Sequence, residues 1–375
     1  METDNKDESQ GTKPAELETS PAVRLRLWLL KLATEGGSDL LLVPDAAPAI
    51  RVEGKLHAIG EEPLTGADIE AAVLPALAPH ALVQYRQFRI ADASYRVPGL
   101  GRFRINLHNE RGRPAAAVRA LPAKVPSLEE LHLPPGVAAL AQLQRGLVII
   151  GGATGSGKTT TLAALVNEIN EKDARHIVTI EDPIEYEHVH HHSIIEQVEI
   201  GSDAPDFPTA LRAALRQAPD VIVVGEMRDP ETARIALSAA ETGHLVFTTL
   251  HTTDAVSTIS RIADSFPPER QHSIRAEMAM ALAAIVTQSL LPRRSGGRIP
   301  AAELLMVSYG ARQHIRKNSL QHLHQEITIT RKNGSFTLEE SLAQLVAQGD
   351  LSREDAIIRA IHAEDLDTLL KAKGM

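Results

Sequence analysis

Leu147-Val148-Ile149-Ile150-Gly151-Gly152-Ala153-Thr154-Gly155-Ser156-Gly157-Lys158-Thr159-Thr160 is the stretch on which the fold turns. Four apolar residues in a row read as a strand buried on both faces. The glycine-rich segment after them matches G-x-x-x-x-G-K-[ST], from Gly152 to Thr159. Its glycines let successive backbone N–H groups curl around phosphates. Lys158 supplies a cation to the β- and γ-phosphates, and the Thr159 hydroxyl suits Mg²⁺. A helix expected over 158–169 adds the positive end of its dipole. Gly152, Ala153, Thr154, Gly155, Ser156, Gly157, Lys158, Thr159 and Thr160 therefore form the expected nucleotide-binding set.

Downstream, apolar runs and helical patterns alternate. Strands are expected at 176–180, 221–224 and 244–249, with helices at 209–217 and 230–242. Short apolar strands alternating with helices give an α/β fold with a doubly wound parallel sheet. From about residue 269 the pattern is almost entirely helical, apart from a strand at 301–306. Upstream, a helix over 22–33 is stopped by Gly36-Gly37. Strands follow at 39–43 and 49–53, with a hairpin tip at Gly54-Lys55. A helix over 68–82 and a meander at 88–97, 102–107 and 115–121 complete an α+β domain. Domain limits follow from these shifts: an acidic disordered tail over 1–20, an N-terminal domain over 21–121, a proline-rich linker over 122–135 and a P-loop domain over 136–375.

The chain has 375 residues, a net charge of −9 and no cysteine. Disulfides and cysteine-ligated zinc are therefore excluded. The acidic total carries no footprint for nucleic acid. No apolar run reaches the length of a membrane span, and residues 1–20 lack a signal pattern, so a cytoplasmic protein without membrane insertion is expected.

Three further segments carry chemistry. Asp220-Val221-Ile222-Val223-Val224-Gly225-Glu226 is a hydrophobic strand ending in a carboxylate, which can order water on Mg²⁺ or polarise an attacking water. Glu181-Asp182-Pro183-Ile184-Glu185 clusters three carboxylates after a strand, on the edge where doubly wound sheets bind ligands; a solvated acidic turn is the alternative. Gly243-His244-Leu245-Val246-Phe247-Thr248-Thr249-Leu250-His251-Thr252 closes another strand with His251, placed to hydrogen-bond a γ-phosphate. His188-Val189-His190-His191-His192 invites a metal reading. Neighbouring strand residues point to opposite faces, so an exposed polar hairpin is expected instead.

The order of these four segments resembles the secretion ATPase superfamily of type II secretion and type IV pili, where they are the Walker A, Asp, Walker B and His boxes. The stretch from Asp220 to Thr252 resembles the PilT type, the type IV pilus retraction ATPases, almost residue for residue. The similarity runs from about Leu25 to Ile357. It implies a PAS-like N-terminal domain, a RecA-like P-loop domain and a homohexameric ring with ATP between subunits. It implies catalytic roles for Glu226, Glu181, Glu185 and His251, with the general base left open among the acids. Thr159, Glu226 and Asp182 would hold Mg²⁺. Arg104 and Arg119, with Arg111 behind them, match segments that bring arginines to the phosphates, as an arginine finger does.

The implied activity is an ATP-hydrolysing motor for pilus retraction and twitching. Its partners would be an inner-membrane platform protein and a second pilus ATPase, which would place it peripherally at that membrane. Assembly relatives typically carry a four-cysteine zinc module, absent here, which favours the retraction branch. Departures from the pattern are Ala153 for the usual proline, Thr159 for serine, Thr248 for glycine, and partial matches at 311–316 and 334–338. An assembly or export ATPase, an accessory pilus motor, or an ATP-gated regulator with little turnover are the rival readings.

Overall fold

The computed structural model describes residues 21–60 and 62–374, apart from the Ala22 side chain. The expected acidic tail lies outside these residues. The chain divides into two compact units at Ala123/Lys124.

In the first unit, helix α1 (Pro21–Thr34) ends at Gly36, whose φ of 64° a side chain would resist. A six-stranded antiparallel sheet follows. It comprises β1 (Asp39–Leu42), β2 (Ala49–Val52), β3 (Lys55–Ala58), β4 (Ile90–Val97), β5 (Gly101–Glu110) and β6 (Arg113–Ala120), in the order β3-β2-β1-β6-β5-β4. The β2–β3 tip is Glu53-Gly54, with φ of 47° and 82°, the double positive φ that tight hairpins favour. The expected helix over 68–82 is two helices instead, α2 (Gly66–Val73) and α3 (Pro79–Phe88). Pro75 and Pro79 interrupt the backbone ladder between them, as prolines must. Leu25, Leu29, Leu32, Leu40, Ile69, Phe103 and Ile105 are among the side chains that close the core against one face of the sheet.

The second unit is built on a seven-stranded sheet in the order β13-β12-β7-β11-β10-β8-β9. Strand β7 (Gly146–Gly151) enters the glycine loop, and α4 (Lys158–Lys172) leaves it. Then come β8 (His176–Glu181), β9 (Ile194–Glu199), α5 (Phe207–Ala214), β10 (Val221–Val224), α6 (Pro230–Glu241), β11 (Leu245–Leu250), α7 (Ala255–Asp264) and α8 (Pro268–Ala281). Strands β12 (Leu282–Pro292) and β13 (Arg298–Met306) complete the sheet. All neighbours pair in parallel except β12 and β13.

Every residue of β7, β10 and β11 is buried. Alternate residues of β7 feed two cores. Leu147 and Ile149 pack with Ala233, Ala236, Ile259 and Met278 of α6, α7 and α8. Val148 and Ile150 pack on the other face with Leu162, Leu165 and Ile169 of α4. Each buried Leu, Ile, Val or Met side chain among them contributes about 1.5–3 kcal/mol.

The expectation of near-continuous helix from residue 269 is corrected by β12, while the strand expected at 301–306 is β13. The 282–292 segment is an eleven-residue strand beside β7. Its alanines suit a helix, yet as an inner strand between two neighbours it needs only apolar bulk, and tertiary context overrides propensity. The helical part is shorter: α9 (Tyr309–Arg316), α10 (Leu323–Ile329), α11 (Leu338–Ala347), α12 (Arg353–Arg359) and α13 (Ala363–Ala372).

Candidate nucleotide site

Parallel register sets the site. Ile180 of β8 pairs with Val224 of β10, Val224 with Thr248 of β11, and Thr248 with Ile149 of β7. Immediately past that line each strand delivers a motif to the same carboxyl edge: Glu181, Gly225-Glu226, Thr249-Leu250-His251 and Gly151-Gly152. Four segments spread between Gly151 and His251 are thereby assembled by strand pairing alone. This is the edge on which open α/β sheets bind ligands.

The loop has the shape its glycines require. Gly152 has φ 153°, and a Cβ there would lie 2.2 Å from Ser156 Oγ and 2.5 Å from the Gln288 carbonyl oxygen. Gly155 and Gly157 also have positive φ, at 77° and 89°. Helix α4 starts directly at Lys158 with no side-chain cap on its first amides. Lys158 Nζ donates to the carbonyls of Gly152 and Ala153 at 2.8 and 3.0 Å. Burial pushes its ammonium below the ordinary range, against the pull of Glu226 and Glu185. The Ser156 hydroxyl is buried without a hydrogen-bond partner. Uncapped amides, a desolvated lysine and an orphaned hydroxyl at one loop fit a polyphosphate.

The carboxylates differ from one another. Glu226 lies within the field of Lys158, forms a close ion pair with Arg228, and has Oε2 3.6 Å from His251 Nε2. Arg228 also reaches Asp182 at 3.8 Å. Glu181 is tied up locally: its Oε1 accepts from Thr179 Oγ1 at 2.7 Å and Gln197 Nε2 at 3.2 Å, and burial raises its carboxyl. Glu185 is half-buried and acts on both Lys158 and Glu181. Thr159, Asp182 and Glu226 are oxygen donors of the hard kind that Mg²⁺ prefers.

Several supporting groups carry no motif in the sequence. Gln288 of β12 donates from Nε2 to the Ser156 carbonyl at 2.7 Å and accepts from Thr161 Oγ1 at 2.9 Å. The Tyr186 hydroxyl lies 3.0 Å from Thr160 Oγ1, linking the acidic segment to α4. Glu199 Oε2 accepts from Ile184 N at 3.1 Å and anchors the same segment. Thr249 Oγ1 donates to the Gly225 carbonyl at 2.6 Å, strapping the His-bearing strand to the Glu226 turn. A polar residue inside an apolar run is the one signal that Gln288 offers, and it stands in a segment that also suits a helix.

Arg104 and Arg119 belong to the first unit. They face each other directly across β5 and β6. Arg119 in turn faces Asp39, which faces Arg51 on β2. Like charges directly opposite cost energy unless compensated. Here Arg119 Nε donates to Asp39 at 2.9 Å and Arg104 lies 3.5 Å from Asp92. Burial alone would raise the Asp39 carboxyl; hydrogen bonds from Arg119 and Ser38 and the charges of Arg119 and Arg51 bring it below the usual range. Arg111 sits exposed at the β5–β6 tip with φ 47°.

The histidine segment does not converge. His188 is partly enclosed rather than exposed, and burial lowers its pKa to about 4. His190 Nδ1 accepts from Ile195 N at 3.2 Å, while His191 lies 3.3 Å from Glu171. In place of the expected hairpin, a loop leads into β9.

A parallel sheet with a phosphate loop, a lysine and acidic side chains at its carboxyl edge defines a P-loop ATPase. The family model described as type II/IV secretion system protein matches residues 127–332, and the chain belongs to that family. It is 40% identical over 324 residues to the type IV pilus retraction ATPase PilT of Pseudomonas aeruginosa, covering 86% of this chain and 94% of that one. It is 42% identical to the twitching motility protein of Neisseria gonorrhoeae, covering 85% and 86% of the two chains. The crystal structure of the pilus retraction motor PilT with bound ADP superposes with a TM-score of 0.83 at 41% identity, covering 91% of this chain and 98% of that one. Among the described residues no helix is long and apolar enough to cross a membrane.

Proposed function

We propose that this protein is the motor ATPase that powers type IV pilus retraction, working as a homohexamer on an inner-membrane platform protein. The observation that carries the ATPase chemistry is that Glu226 lies in the electrostatic field of the phosphate-loop Lys158 at the sheet edge, with His251 against the same carboxylate. Pilus retraction rests on the 40% and 42% identity to named pilus motors over most of the chain.

In this reading the loop amides and Lys158 hold the β- and γ-phosphates of ATP. Thr159, Glu226 and Asp182 would hold Mg²⁺, which when bound neutralises charge on the phosphoryl oxygens. Of the three acids, Glu226 is our candidate to orient the attacking water. Its carboxylate is held in place by Arg228 and His251, whereas the Glu181 oxygen is committed to Thr179 and Gln197. His251 would sense the γ-phosphate through the carboxylate it shares with the water. Arg104 and Arg119 are our candidates for the cations that meet the developing charge in the assembled ring.

Deleting the gene and scoring surface pili and twitching tests the reading. Many pili without movement is the expected result. A cell without pili would make this an assembly motor and overturn retraction. Negligible phosphate release by the purified protein, with tight ATP binding, would instead mark a nucleotide-gated regulator.

A further inference from the structure

The side chains of His188–His192 diverge, but a metal-ligand geometry occurs elsewhere in the same unit. His324 lies on α10, His362 is the residue that opens α13, and Asp365 lies in the first turn of that helix. One donor atom from each of the three falls within 4.8 Å of the others, and among the described residues this is the group that meets that test. His324 Nε2 stands 3.4 Å from Asp365 Oδ2. Ligand atoms on a tetrahedral zinc at about 2.0–2.1 Å are separated by roughly 3.3–3.4 Å, so this pair already spans one edge of such a tetrahedron. The imidazoles of His324 and His362 are 4.1 Å apart between centroids and tilted by 42°, so two rings stand together beside one carboxylate.

The backbone holds this arrangement in advance. Glu339 is 1% exposed, and its Oε1 accepts from both Ile361 N and His362 N, at 3.0 and 2.9 Å. The His362 carbonyl accepts from Asp365 N at 3.1 Å, which sets His362 and Asp365 one turn apart on the same side of α13. A carboxylate buried this deeply and spent on two loop amides fixes where His362 starts the helix. Two imidazoles with one carboxylate suit zinc, nickel or copper rather than Mg²⁺, which prefers oxygen alone. The group lies at the surface, with His324 half-buried and His362 and Asp365 exposed.

We propose that His324, His362 and Asp365 bind a divalent transition-metal ion of the zinc class, pinning α13 to α10. The site is separate in sequence and in ligand chemistry from the Mg²⁺ position proposed at the nucleotide loop. Titrating metal-free protein with Zn²⁺ in excess Mg²⁺, by calorimetry and with Co²⁺ as a spectroscopic substitute, tests it. The expected result is one ion per chain and the visible absorption of four-coordinate Co²⁺. His362→Ala and His324→Ala should each weaken binding by at least about tenfold, the scale on which even outer-shell changes act. Far-ultraviolet circular dichroism checks that both variants remain folded. His251→Ala and His191→Ala serve as controls, because both histidines lie beside glutamates and offer rival sites. Affinity that falls with either control and survives His362→Ala would overturn the proposal, as would the absence of stoichiometric binding by the wild-type protein.

Discussion

Gln288 Nε2 donates to the Ser156 carbonyl oxygen at 2.7 Å while its Oε1 accepts from Thr161 Oγ1 at 2.9 Å, so one amide on β12 clasps both the phosphate loop and the helix behind it. Both partners are buried, and each would lose its hydrogen bond on truncation. Gln288→Leu should leave a carbonyl and a hydroxyl unsatisfied, costing about 1–3 kcal/mol for each group so orphaned. Because the loop it steadies carries the phosphate amides, KM for ATP should rise more than kcat falls. Steady-state phosphate release over a range of ATP concentrations checks this; a loss in kcat with unchanged KM would count against the clasp.

Gly152→Ala tests the shape of the loop. The added Cβ would meet Ser156 Oγ at 2.2 Å and the Gln288 carbonyl at 2.5 Å, at a φ of 153° that alanine rarely adopts. The carbonyl oxygen is backbone and gives way less easily than the serine. ATP affinity should fall by at least about tenfold, since roughly 1.4 kcal/mol suffices for that and local strain of this kind costs about 1–3 kcal/mol. Gly155→Ala is the comparison, because the methyl it adds would enter open space and only its φ of 77° opposes it. Fluorescent-nucleotide binding should rank the two, with Gly152→Ala the weaker binder.

Lys158→Ala and Glu226→Gln should fail at different steps. Lys158 is the cation proposed to hold the phosphates, so its loss should abolish nucleotide binding or turnover. Glu226→Gln removes a charge and keeps the shape, so ATP should still bind while turnover falls by about two orders of magnitude, typical of a lost positioned base. Parallel binding and turnover assays separate these outcomes. Normal turnover in Glu226→Gln would move the candidate base to Glu185, the remaining acid in the field of Lys158.

The phosphate edge is legible in the sequence because each motif follows a short apolar run, and parallel pairing of such runs brings their ends together. Leu147–Ile150 and Val221–Val224 can be read this way from composition alone. Strand β12 cannot. Leu282-Ala283-Ala284-Ile285-Val286 satisfies a buried helix as well as a buried strand, and periodicity does not separate the two. With β12 goes Gln288, whose purpose appears only when β12 lies beside β7. The 68–82 helix fails for a plainer reason: Pro75 and Pro79 break it, although the apolar spacing runs on through them. Tyr186 and Glu199 make contacts between segments far apart in the chain, which spacing does not encode.

Glu303 on β13 should make the second unit's stability depend on pH in a window where few carboxylates titrate. Burial raises its pKa to about 7 from 4.5, the charges of Asp254 and Glu339 add to the rise, and the Ala255 N–H at 3.3 Å opposes it. The folded state therefore holds this proton more tightly than the unfolded chain does. Below pH 4.5 both states are protonated and nothing is lost. As pH climbs from 4.5 through about 7 the unfolded chain releases the proton first, and stability falls until the folded carboxyl also ionises. Glu303→Gln keeps an acceptor for Ala255 and has no proton to lose. The variant should match the wild type near pH ~4 and exceed it by roughly 1–3 kcal/mol at pH ~8, the scale of a shift of this size. Urea unfolding at both pH values reads the difference directly, and histidines that titrate in the same range cancel because both proteins carry them. A constant offset at the two pH values would mean that packing around Glu303, and not its proton, sets the effect.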